Sequence, residues 1–184
     1  MPRRFTFDDP EYSAFPIDEL RWQWRNVPDA GVRSMVAVEH QYLDFHLWQL
    51  HSIRHEPIEG GAAIPIGLSL RAGALKTANL VCASIAEAVL RAHAERRGYS
   101  LPKHARHRTF GKILGAWQDA DGNPHPDIAP IWEDLQRLYN GRNVVHLYAA
   151  LDRGSDFYDV LQAEQELLES SQRVIEFLQG LESA

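Results

Sequence analysis

The chain has 184 residues, 45% of them hydrophobic and 24% charged, and a formal net charge of −6, which suits one globular domain whose core needs no covalent staple. A lone cysteine, Cys82, excludes an intrachain disulfide and any multi-cysteine zinc site, and it fits a reducing compartment. The start has two arginines without an apolar run behind them, and no stretch reaches the roughly 18 apolar residues of a membrane span, so the expected place is the cytoplasm, off the membrane.

Residues 1–28 hold four prolines, Pro2, Pro10, Pro16 and Pro28, and read as an irregular arm packed on the body. Trp22 and Trp24 alternate with Arg21, Gln23 and Arg25, which reads as a short strand. The tryptophans read first as packing residues; beside arginines they also offer a surface on which bases stack. Asp29 is placed as the N-cap of a helix running to about His55. Its apolar stripe is read from Val32, Met35, Val38, Tyr42, Phe45, Leu50 and Ile53, widened by Leu43, Leu47 and Trp48. His51 and His55 lie four apart but lack an obvious third ligand, so no metal and no cofactor are expected.

Pro57, Gly60 and Gly61 end that helix, and AAIPIGLSL connects it to the next. A second long helix is expected from about Ser69 to Arg97, rich in alanine and leucine, with Gly98 as its C-cap. Cys82 falls on its apolar face as a small buried hydrophobe. From Arg91 to Lys112 seven cations meet one anion, Glu95, so this segment carries +6 in a chain of −6. Arg97, Lys103, Arg106 and Arg108 are the candidate RNA contacts there; the same run also reads as a solvated helix end and loop.

A short helix is expected from about Thr109 to Gln118, then the loop DADGNPHPD. Asp127 is placed as a cap for the following helix, with Pro130 in its first turn, and Gly141 as a kink or break. The last helix is expected from Ser155 or Asp156 to about Leu181, with Val160, Leu167, Val174 and Leu181 recurring every seven residues. Amphipathic helices joined by modest loops pack as an all-α, up-and-down four-helix bundle. Residues 1–65 form the arm and first helix, and 66–184 the main helical part of one compact domain.

The segment RNVVHLY, from Arg142 to Tyr148, carries the candidate chemistry. On a helix Arg142 and His146 are about 40° apart around the axis, hence on one face. A guanidinium holds a phosphate bidentately and an imidazole moves a proton near neutral pH. With a ribose 2′-hydroxyl as nucleophile, that pair cuts RNA without a metal, and Asn143 orients either group. The same spacing also describes an ordinary helix pair with a salt-bridged arginine.

RNVVHLY resembles the signature of the HEPN superfamily, an Arg followed by Asn and, some residues on, a His. His146-Leu147-Tyr148 is similar to the His-x-Tyr extension of one toxin branch. SIAEAVLRA resembles the family's first core helix, with Glu87 as its acidic residue, and RTFGKILGAW the short segment before the signature helix. The likeness covers about Ser69 to Leu181. Here three residues separate Arg142 from His146, shorter than the family's usual four to six. The resemblance implies a homodimer with two Arg/His pairs facing each other across a cleft. It implies a metal-independent endoribonuclease of a toxin–antitoxin or phage-defence system, whose antitoxin would be a further partner, or else an inactive binding or scaffold module. Arg142, Asn143, His146 and Tyr148 are the implied catalytic set, with Tyr148 in a supporting or regulatory place.

Overall fold

The computed structural model describes residues 14–52, 68–144 and 162–182. Six α-helices are found there: α1 (Ile17–Gln23), α2 (Ala30–Ser52), α3 (Leu68–Arg96), α4 (Phe110–Ala116), α5 (Trp132–Val144) and α6 (Glu164–Gly180). Single 3-10 turns lie at Ala105–His107 and Ala129–Ile131. Among the described residues there is no strand, only an isolated bridge between Gln118 and Pro124. The all-α expectation is met.

The strand expected around Trp22 is instead the end of α1. In a strand, residues two apart share a face. Here Trp22 is 65% exposed and Trp24 is fully buried, because a helical path turns them to opposite sides. Leu20, Trp24 and Val27, spaced four and three apart, enter the core together. Asp18 and Glu19 in the first turn favour the helix through its dipole.

Asp29 caps α2, its Oδ1 accepting from the Val32 amide at 2.8 Å. The stripe read for this helix needs correction. Leu43 and Leu50 of that stripe are buried, together with Val36 and Ala37 outside it, but Met35, Val38 and Tyr42 face outward. The helix carries two apolar faces, and only the second is buried, with α1 and α3 packed against the helix.

Helix α3 is the core helix and packs against α2, α4, α5 and α6. Its small residues, Ala72, Ala78, Ala83, Ala86 and Ala94, are buried and let its neighbours approach closely. Within it Arg71–Arg96 is long and apolar enough to cross a membrane by length and composition, but over half of it is buried inside the protein. Gly98 ends α3 at φ +70°, with Gly98 N–H donating to Glu95 O and Tyr99 N–H to Ala94 O. This left-handed C-terminal motif is the one that glycine favours. Arg71 meets Glu164, Cys82 meets Ser171 and Arg97 meets the Glu182 carbonyl, so α3 and α6 run in the same direction. Asp134 meets Arg173 while Arg137 meets Glu166, so α5 and α6 run in opposite directions.

Asp127 does not cap α5. A 3-10 turn intervenes, and the carboxylate is drawn to Arg97 and lies 3.7 Å from His125. Gly141 does not break α5 either. A Cβ there would stand 2.6 Å from Asn79 Nδ2, so glycine permits the close approach of α5 to α3. The start expected for the last helix, with Val160, and the histidine His55 lie outside the described residues.

Within the core, His93 is fully buried, and among the described residues neither ring nitrogen has a hydrogen-bond partner. Burial, helped by the nearby Arg97 charge, pushes its pKa down to about 4. The unfolded chain, with an ordinary histidine near 6.5, therefore binds the proton first, and stability falls as pH drops from about 6.5 towards 4. His93→Leu is expected to match the wild type near pH 7 and to exceed it by about 2 kcal/mol near pH 4.5 in urea titrations. A constant difference across that window would contradict the assignment.

Candidate functional site

Arg142 stands in the last turn of α5, and its side chain is about one-third exposed. Its Nη1 donates to Glu87 Oε2 on α3, forming an ion pair between two helices whose residues lie 55 apart in sequence. Nε and Nη2 of Arg142 make no hydrogen bond among the described residues. One edge of the guanidinium is thus anchored on α3. Asn143 follows on α5. His146 and Tyr148 lie outside the described residues, so the structure brings Arg142 to Glu87 and leaves the rest of the implied set unplaced.

The basic segment has been divided by ion pairs. Arg97, expected as an RNA contact, has a side chain only 8% exposed. It pairs with Asp127, donates to the Glu182 carbonyl at 2.9 Å and lies over the Trp117 ring at 5.1 Å. Asp127 is held below the usual carboxylate range chiefly by that arginine's hydrogen bond. Arg108 pairs with Glu95 and donates to the Pro102 carbonyl at 2.8 Å, while Arg91 shares the same Glu95. Lys103 and Arg106 are exposed, and Arg106 Nε lies 3.0 Å from His107 Nε2. Of the four candidate RNA contacts, Arg97 and Arg108 hold the fold together, and Lys103 and Arg106 remain open to solvent.

A carboxylate centre that sequence reasoning missed is Asp134, which is buried on α5. It accepts from Arg173 Nε at 2.9 Å and Nη2 at 2.8 Å, from Arg137 Nη1 at 2.7 Å and from Ser170 Oγ at 3.0 Å. These donors, Arg173 foremost, hold its pKa low. Every donor named comes from α5 or α6, and the cluster fastens those helices to each other. Its α6 members, Ser170 and Arg173, lie 36 and 39 residues from Asp134, so no local motif announces it.

Cys82 is buried, and desolvation raises its thiol to about 12. It is a packing residue and no thiolate nucleophile at neutral pH. His46 of the histidine-rich end of α2 lies 2.8 Å from the Tyr42 hydroxyl. Among the described residues no group of three or more His, Cys, Asp or Glu side chains is arranged to hold a metal.

The chain matches no family model, no curated protein and no solved structure.

Proposed function

We propose that the protein is a metal-independent endoribonuclease of HEPN type that works as a homodimer. The observation that carries the reading is the pairing of Arg142 with Glu87. The acidic residue in the segment that resembles the family's first core helix meets the arginine of the signature, 55 positions away. In the proposed reaction the Arg142 guanidinium, positioned by Glu87, binds the non-bridging oxygens of the scissile phosphate and stabilises the charge that grows on them. The ribose 2′-oxygen attacks phosphorus as His146 accepts its proton, the P–O5′ bond breaks, and the 5′-oxygen leaves as an alcohol on taking a proton from solvent water, to which the His146 imidazolium returns its own. Asn143 and Tyr148 orient these groups, while Lys103 and Arg106 draw the strand in. Two such sites face each other across the dimer of a four-helix bundle, and the toxin or phage-defence setting, with an antitoxin partner, belongs to the same proposal.

The same ion pair favours a second reading, an inactive binding or scaffold module, because Glu87 already engages Arg142 within one protomer. Cleavage of a mixed RNA pool in EDTA separates the two. Under the nuclease reading wild type cuts and His146→Ala does not. Equal activity, or none from either, leaves the scaffold reading.

A further inference from the structure

A cleft of about 650 Å³ opens where the corner between α1 and α2, the first turn of α2, the end of α3 and the chain after α6 come together. Arg25, Arg33 and Arg96 line it against a single carboxylate, Glu182. Unlike Arg97 and Arg108, none of these arginines forms an ion pair among the described residues. Arg33 is steadied by donating from Nη2 to the Val27 carbonyl at 2.9 Å. Arg25 is steadied by the Trp22 carbonyl at 3.3 Å and by the Trp22 ring, 4.2 Å from its guanidinium carbon. Arg96 is exposed on the last turn of α3. Three separate elements thus bring three guanidiniums to one concavity in a chain whose net charge is −6.

We propose that this cleft is a phosphate-binding site. Gathering like charges without neutralising them is unfavourable in the empty protein, and a bound anion removes that repulsion. Guanidiniums match phosphoryl oxygens through paired N–H donors, which ammonium groups do not. Two of the three are already oriented by backbone carbonyls, which lowers the ordering cost of binding. The volume exceeds that of one phosphate and admits a diphosphate with part of a sugar. Trp22, 65% exposed, lies against Arg25 of the cleft and adds an aromatic surface next to it. The ligand is therefore a phosphoryl group carried by a nucleotide or by an RNA strand. The inference does not rest on Arg142 or His146.

Calorimetric titration with sodium pyrophosphate, at ionic strength held constant with chloride, tests it on the full chain. Arg25→Ala/Arg96→Ala is expected to weaken pyrophosphate at least about tenfold, whereas Lys112→Ala, exposed on α4, stays within about twofold. Both replaced arginines are exposed, so the variant keeps its fold. Titrations with adenosine diphosphate and with a 5′-phosphorylated ten-nucleotide RNA identify the carrier, and the true one weakens in parallel with pyrophosphate. His146→Ala binds pyrophosphate as wild type does, so loss of the nuclease reading leaves this result standing. Wild type that binds pyrophosphate no better than chloride, or a double variant that binds it undiminished, overturns the proposal.

Discussion

Arg142→Ala is expected to lower RNA cleavage by about 10²- to 10³-fold while leaving the melting temperature within a few degrees. The size follows from the role. A charged donor aimed at oxygens that gain charge in the transition state is worth roughly 3–4 kcal/mol when removed. The small stability cost follows from geometry, since Arg142 and Glu87 are one-third and one-quarter exposed and such pairs contribute about 1 kcal/mol or less. The loss should fall on kcat more than on KM, because the interaction strengthens as charge develops. Glu87→Gln should show a milder loss in the same direction, since the arginine keeps its charge but loses its anchor. A Glu87→Gln enzyme more active than wild type would mean that Glu87 restrains Arg142 instead of positioning it.

Trp117→Ala is expected to be the most damaging single substitution for stability, at about 3–5 kcal/mol, or roughly 10–15 °C in melting temperature for a chain of this size. Trp117 is fully buried at the end of α4. Its Nε1 donates to the Leu90 carbonyl of α3 at 3.1 Å, and its ring meets Tyr99 edge-on at 5.0 Å and His125 at 5.9 Å. Arg97 lies over the same ring. Removing the indole therefore opens a cavity and also frees the arginine that ties α3 to Asp127 and to the chain after α6. Trp117→Phe keeps most of the volume and loses the hydrogen bond, so about 1 kcal/mol beyond its packing loss is expected. Thermal melts of the three proteins check the order wild type, phenylalanine, alanine; an alanine variant within 1 kcal/mol of wild type would refute this role.

Local chemistry is what the sequence makes legible. Gly98 and Asp29 announce the ends of α3 and α2 because a left-handed turn favours glycine and a short carboxylate satisfies a free amide. Periodicity found the long helices but not which side of α2 is covered. Met35, Val38 and Tyr42 recur as regularly as Leu43 and Leu50, and the choice between them is made by tertiary packing, with α1 and α3 lying against the helix. Trp22 and Trp24 misled because two tryptophans two residues apart imitate a strand, whereas Pro16 and the acidic pair Asp18 and Glu19 mark a helix start.

The site divides in the same way. Arg142 is visible through its motif, and its engagement with Glu87 is a tertiary fact. Composition alone cannot separate Arg97 and Arg108 from Lys103 and Arg106. Asp127, 30 residues from Arg97, and Glu95, 13 residues from Arg108, convert two of the four into structural ion pairs. The cleft of Arg25, Arg33 and Arg96 has no sequence signature at all, since its three cations come from three elements.

The chemistry of the cut ends tests the central claim most directly. RNA incubated with the protein in EDTA and analysed by mass spectrometry should yield 2′,3′-cyclic phosphates and 5′-hydroxyls, as attack by a vicinal ribose hydroxyl requires. Ends bearing 3′-hydroxyls and 5′-phosphates, or intact RNA, would contradict it.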